Sequence, residues 1–246
     1  MPKRKLDFPE LVRLEEMPPP AFIESVVPGI NRIIGGLPAR GIVEMYGNFS
    51  SGKTSVALTF QPDFWIAVEY LDPRWGRKFS PNTMVAKVTT LEKAFELLEK
   101  TLLPGKPRLV VLDSLGGAIA EAEVDSNRSA AVSGATSRGL RKLINLGLLD
   151  ETCLLIVNQL RSAFGAQYVT TTTPGGFVLH HLALMRIEVR RMGVVEVGER
   201  KVGQEILIRV TKNKVGPPWA EGKVWLSVDG YFFDSEEEVK AHVRLR

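Results

Sequence analysis

The chain has 246 residues, 44% apolar and 24% charged, with a formal net charge of +4. That is ordinary for a soluble globular protein of one large domain, or a domain with a small appendage, around a sizeable core. Its one cysteine, Cys153, excludes a disulfide framework and reads as a small buried hydrophobe within Thr152–Val157. The basic N-terminus MPKRKLDFPE lacks the apolar stretch of a secretion signal, and no later run is apolar and long enough to span a bilayer. A cytoplasmic protein with no membrane partner is expected. The modest positive charge is compatible with a polyanionic partner but does not specify one.

Residues 1–22 stand apart, with a basic tip, a mixed segment Leu6–Met17 and the triple proline Pro18–Pro20. Three prolines force an extended connector, so this region reads as an N-terminal arm joined to a body at 23–246. The body alternates in the manner of an α/β protein. Ile42–Tyr46 is a strand, followed by a glycine-rich turn and a helix from near Lys53 through Ser55–Phe60. Phe64–Val68 is a second strand, and Leu91–Thr101 a helix with apolar residues at helical spacing. Leu109–Leu112, ended by Asp113, and Cys153–Val157 are continuous apolar runs, as expected of parallel strands buried on both faces. A helix lies between them at about Ser129–Leu146, with Gly147 placed to end it. After residue 183 the segments Leu184–Arg190, Glu205–Thr211 and Lys223–Val228 are strand-like. The expected fold is a twisted, mostly parallel sheet flanked by helices, with an antiparallel C-terminal extension.

The strongest local signal is Gly47-Asn48-Phe49-Ser50-Ser51-Gly52-Lys53-Thr54, a full match to G-x-x-x-x-G-K-[ST] between a strand and a helix. Its glycines let the backbone curl so that N–H groups point at phosphate oxygens. Lys53 supplies a point charge to the β/γ-phosphates, the Thr54 hydroxyl can ligate Mg2+, and the helix start adds its positive end. Asp113, at the end of a buried strand, suits the carboxylate that holds the metal through water; a strand-end aspartate could instead cap the next turn, but beside a phosphate loop the metal reading is favoured. Glu69 ends the second strand candidate and is either a group that activates water or a solvated strand-end carboxylate. Gln159, just past Cys153–Val157, is a polar group suited to sensing a γ-phosphate.

The segment PGINRIIGGLPARGIVEMYGNFSSGKTSVAL resembles the start of the RecA-family ATPase core. The likeness continues through VEYLDPRW, LVVLDSLGG, LLIVNQLR, TTTTPGGFVLHHLALMRIEVRR and VTKNKVGPPW, in the family's order, over about residues 25–230. The pattern is nearer to bacterial and phage members than to archaeal and eukaryotic ones. The resemblance implies ATP and Mg2+ as cofactors and DNA-dependent ATP hydrolysis. It makes Glu69 the group that activates the attacking water, although its spacing to Asp72-Pro73 is one residue short. It places Trp75 against adenine and makes Gln159 the γ-phosphate sensor. It also implies that Lys212 and Lys214 reach the ATP of a neighbouring subunit, so the catalytic set becomes Glu69, Lys53, Gln159, Lys212 and Lys214.

Two stretches suit single-stranded nucleic acid, at about 121–133 and 160–174. Hydroxyls, amides, an arginine and backbone N–H groups can grip phosphates without reading sequence. Gly175 and Gly176 open the next helix and could present N–H groups to a phosphate. Arg161 lies in the second stretch, where Phe164 or Tyr168 could wedge between bases or pack against the body. The resemblance supports Arg128, Arg141, Gly175 and Gly176 as DNA contacts. His180 and His181 are adjacent, so they face different ways and make a poor metal pair. After Phe233 only a charged tail, DSEEEVKAHVRLR, is expected. The leading expectation is a strand-exchange recombinase that forms helical filaments on single-stranded DNA, with ATP at the subunit interface. That filament would pair its strand with homologous duplex DNA. The alternatives are a RecA-like accessory ATPase without strand exchange, or a ring-forming DNA motor.

Overall fold

The computed structural model describes residues 13–117, 128–163 and 170–245. A short 3-10 turn, Leu14–Glu16, and exposed Pro18–Pro20 lead into β1 (Phe22–Ile23), α1 (Pro28–Ile34) and β2 (Leu37–Pro38). There follow β3 (Gly41–Gly47), α2 (Lys53–Leu58), β4 (Phe64–Ala67), α3 (Pro73–Phe79), β5 (Met84–Lys87) and α4 (Leu91–Gly105). Then come β6 (Leu109–Asp113), α5 (Arg128–Asn145), β7 (Cys153–Gln159), β8 (Arg161–Ala163), β9 (Thr170–Thr172) and α6 (Gly176–Leu182). The chain closes with β10 (Met185–Val197), β11 (Arg200–Asn213), β12 (Glu221–Ser227), β13 (Phe232–Phe233) and α7 (Glu236–Arg244).

Nine strands form one sheet in the order β13-β12-β11-β10-β3-β7-β6-β4-β5. From β10 to β5 every pairing is parallel; from β10 to β13 every pairing is antiparallel. The expected mostly parallel sheet with an antiparallel extension is thus the observed one. Alternation within the buried strands sorts their side chains into two cores. Val43, Met45, Val111, Leu155 and Val157 pack on one face with Ile30, Val56 and Leu58. Ile42, Val110, Leu112, Leu154 and Ile156 pack on the other with Leu98, Leu140 and Leu179. Cys153 is fully buried and burial pushes its thiol to about 12, so it is an inert core residue. Among the described residues no helix is long and apolar enough to cross a membrane.

The structure revises several element expectations. Among the elements without a sequence expectation are α3, begun by Asp72 as N-cap with Pro73 in the first turn, and the edge strand β5. Strands β10 and β11 run well past the expected Leu184–Arg190 and Glu205–Thr211. Their pairing continues beyond the parallel neighbour, with β12 still alongside β11 as far as Gly203, and ends in a turn where Gly198 has a positive φ. The first expected loop is shorter, because 128–133 is already the opening of α5. In the second, Arg161–Ala163 pairs antiparallel with Thr170–Thr172 as a hairpin.

The expected charged tail is instead helix α7. Ser235 caps it by accepting the Glu238 N–H, while the Glu238 carboxylate accepts the Asp234 N–H. Three glutamates sit at its positive end, and Val239 and Val243, four residues apart, pack against Val195 and Val202. His242 Nε2 lies 2.9 Å from Asp229 Oδ2, tying the helix to the β12–β13 turn. Partial burial pushes the Asp229 carboxyl upward, but bonds from Ser227 and His242 outweigh it and hold the group at about 2. Because the folded value lies below the unfolded one, this stabilisation is present above about pH 4 and disappears as the pH falls toward 2. We therefore expect denaturant midpoints to fall across that acid window, and to fall less in Asp229→Asn. Equal slopes for the two proteins would refute this assignment.

Candidate active site

The phosphate loop follows directly from β3. Gly47 is its first residue because nothing larger fits: a Cβ there would run into the Val189 carbonyl oxygen of β10. Gly52 takes a positive φ of 94° as it enters α2, a conformation that favours glycine. Lys53 is buried, and its Nζ donates to the carbonyls of Gly47 (3.2 Å) and Asn48 (2.6 Å), which folds it back along the loop. Burial lowers its pKa, opposed by the nearby carboxylates of Asp113 and Glu69. Ser50 carries a positive φ of 55°, and Phe49 is 73% exposed at the loop's outer edge. The Ser51 hydroxyl is buried with no hydrogen-bond partner. A loop with inward-facing space, a buried amine and an orphaned hydroxyl suits a polyphosphate.

Beside the loop, Thr54 Oγ1 donates to Asp113 Oδ2 at 3.0 Å. Burial pushes Asp113 up to about 6, and Glu69 adds to this while the Thr54 bond and Lys53 oppose it. A carboxylate held so reluctantly in its charged form is one that a cation would satisfy. Among the described residues no cluster of three or more His, Cys, Asp or Glu could hold a metal. The hydroxyl of Thr54 and the carboxylate of Asp113, in contact beside the loop, are oxygen donors that fit magnesium, which keeps several waters and takes further ligands from phosphate.

Glu69 lies two residues past β4, at the same strand-end edge. Its Oε1 accepts from Ser114 Oγ at 2.6 Å and from Gln159 Nε2 at 2.7 Å. Four neighbouring strands thus deliver Lys53 and Thr54, Gln159, Asp113 with Ser114, and Glu69 to one corner. Ser114 has no role in the sequence reading; as the residue next to a strand-end aspartate it carried no signal of its own.

From this corner a cavity of about 610 Å3 runs outward past Ser50–Ser55 to Tyr70, Asp72, Trp75, Gln204 and Val228. That size suits a small-molecule ligand. Trp75 lines the cavity but also packs on the core, with its ring against Gly230. Asp72 caps α3 and pairs with Arg74. The far wall, contributed by β11 and β12, was not foreseen, since no local motif marks it.

Lys212 and Lys214 lie elsewhere. In the sheet Lys212 stands level with Arg186 and Glu44, three residues before Gly47 and about 10 Å back along the strand. Its Nζ donates to the carbonyls of His180 (2.6 Å) and His181 (3.0 Å), and Lys214 reaches His181 at 3.4 Å. Both therefore cap the end of α6, away from this chain's own phosphate loop. Nearby, buried Glu44 pairs with Arg186 and accepts from Asn158 and Thr173. His180 Nε2 meets Thr173 Oγ1 at 2.6 Å, while the His181 ring stacks on Phe177.

Of the residues expected at DNA, Gly175 and Gly176 open α6 at positive φ, beside Thr136 and Ser133 of α5. Arg128 begins α5 and Arg161 begins β8, each bordering a stretch that is not described. Phe164 and Tyr168 lie outside the described residues, as does the arm through residue 12. Arg141 is exposed on α5, about 12 Å further along the helix than Ser133, and is not brought together with Gly175 and Gly176.

A phosphate loop at the carboxyl edge of a parallel sheet, with a strand-end aspartate beside its threonine, defines a P-loop nucleotide-binding protein. The profile of the RecA N-terminal domain matches residues 24–229, and the chain belongs to that family. It is 34% identical over 205 residues to Protein RecA of Fusobacterium nucleatum, covering 76% of this chain and 54% of that protein. It is 35% identical to Protein RecA of Heliobacterium modesticaldum, covering 76% and 59%, and 31% identical to that of Aquifex aeolicus, covering 87% and 66%. The chain spans between about half and two thirds of the length of these relatives.

Proposed function

We propose that this chain is an ATP-dependent DNA strand-exchange recombinase that assembles into filaments on single-stranded DNA and serves recombination and repair in the cytoplasm. The family it belongs to is one of DNA-dependent ATPases. The observation that carries the reading is the bond between Gln159 and Glu69, because Gln159 leads after one residue into the β8–β9 hairpin. One side chain thus touches the proposed water-activating carboxylate at one end and begins the proposed DNA-binding segment at the other.

In this reading the phosphate-loop N–H groups and Lys53 hold the polyphosphate, and Trp75 borders the base. A magnesium ion held by Thr54, and through water by Asp113, would neutralise charge on the β- and γ-phosphates. Ser114 and Gln159 both bond Glu69 Oε1, which orients the carboxylate and leaves Oε2 to take a proton from water. Oxygen of that water attacks the γ-phosphorus as the bond to the bridging oxygen breaks, and the electron pair leaves with ADP. Lys212 and Lys214 act on the nucleotide of an adjacent copy, since they stand off their own site. Residues 1–22 form the arm that links copies, and 23–246 the core. Single-stranded DNA runs past Arg128, Arg161, Phe164, Tyr168, Gly175 and Gly176, with Arg141 at the margin, and homologous duplex is the second partner.

The test is the steady-state rate of ATP hydrolysis with and without single-stranded DNA. We expect stimulation by roughly tenfold or more, as for an enzyme whose active site is completed when DNA orders its neighbours. ATP binding without any stimulation would reject the recombinase reading.

A further inference from the structure

The two ends of the cavity are built differently. The phosphate end is continuous backbone between β3 and α2. The other end is assembled from pieces far apart in sequence: α3 with Trp75, the β12–β13 turn with Ser227 and Val228, and β11 with Gly203 and Gln204. The geometry points to the His242–Asp229 pair as a positioning clasp, through which α7 sets the Ser227–Tyr231 turn against Trp75 and fixes the base-holding end of the cavity.

The contacts form a chain from helix to cavity wall. Val239 of α7 lies where a Cβ on Gly203 would meet it at 3.0 Å, so the helix backs the wall formed by β11. His242 is gripped between the rings of Tyr231 and Phe233, at centroid distances of 5.0 and 5.1 Å. Its Nε2 reaches Asp229 Oδ2, while Asp229 Oδ1 accepts from Ser227 Oγ at 2.6 Å and the Tyr231 N–H binds that same hydroxyl at 2.9 Å. The turn is therefore cross-linked internally and tied to the helix through His242. On its other side Lys78 of α3 bonds the Asp229 carbonyl and sits 3.0 Å over the Tyr231 ring. Gly230 lies flat against Trp75, with no room for a Cβ between them. A shift of the turn would move Val228 and the support of the Trp75 ring together. His242 touches neither the cavity nor the phosphate loop, so it acts through the turn.

This inference rests on the nucleotide reading, and its test separates the two. Dissociation constants for ATP and for inorganic triphosphate, each with magnesium, are measured on the full chain as wild type, His242→Phe and His242→Gln. Phenylalanine preserves the packing between Tyr231 and Phe233 and removes only the bond; glutamine keeps a donor for Asp229. We expect His242→Phe to weaken ATP by about tenfold while triphosphate changes by less than about twofold, and His242→Gln to recover most of the loss. Equal weakening of both ligands would mean general loosening and overturn the clasp. So would unchanged ATP affinity in His242→Phe when the wild type binds ATP. A wild type that binds neither ligand would overturn the nucleotide reading itself. Should His242→Phe not fold, His242→Leu removes the same bond, leaves the Ser227–Asp229 bond in place and is judged by the same ratio.

Discussion

Glu69→Gln is expected to retain ATP affinity within about threefold and to slow hydrolysis by roughly 100- to 10,000-fold, the range in which a positioned general base contributes. The glutamine amide has nearly the same shape, and its oxygen can still accept from Ser114 Oγ and Gln159 Nε2. What it cannot do is take a proton from water. Phosphate binding does not depend on this group, because the loop, Lys53 and the Thr54–Asp113 pair are all in place without it. A fluorescent nucleotide titration and a phosphate-release assay on the same preparation read the two effects. Full hydrolysis by the variant would remove Glu69 from the mechanism. Lost binding would instead show it to be part of the nucleotide cradle.

Gly47→Ala is the second large effect, and it acts on fold and site together. The added methyl would meet the Val189 carbonyl oxygen on β10, and would stand 3.0 Å from Ser51 Oγ. The first obstacle is backbone in the adjoining parallel strand, so no side chain can rotate away. Either β10 separates from β3 or the loop shifts, and overpacking of this kind typically costs about 1–3 kcal/mol. For a chain of this size that is a drop in Tm of roughly 3–10 °C. Moving the first residue of the loop also redirects the N–H groups behind it, so ATP binding should become undetectable. Gly76→Ala is the internal comparison. Nothing lies within 4 Å of a Cβ there, and Tm should hold or rise slightly because the position is helical. Thermal melts of the two variants decide the matter, and an unchanged Tm in Gly47→Ala would contradict the packing argument.

The central part of the fold was legible from the chain alone. The apolar runs Leu109–Leu112 and Cys153–Val157, and Ile42–Tyr46 with Glu44 inside it, read as buried strands, and each of them is one. The phosphate loop was equally readable as a turn between a strand and a helix, because its residues are contiguous, whereas the contact of Asp113 with Thr54 spans 59 residues. Two misses had local signals that could have been used: Asp72-Pro73 is a helix opening, and Ser235 with Glu238 is a capping pair ahead of Val239 and Val243. The remaining features had no such signal. Ser114 and Gln159 converge on Glu69 across 45 and 90 residues of sequence. Their meeting depends on β7, β6 and β4 lying side by side. Lys212 and Lys214 stand off their own phosphate loop because the register of β11 on β10 sets Lys212 level with Glu44, and local pattern does not specify that register. The cavity's far wall and the helix behind it likewise exist only once β11, β12 and α7 are stacked. Local patterning determines which segments form strands, helices and caps, because propensity and capping act over a few residues. The order and direction of strands are decided by how whole hydrophobic faces pack, and that is where the site is assembled.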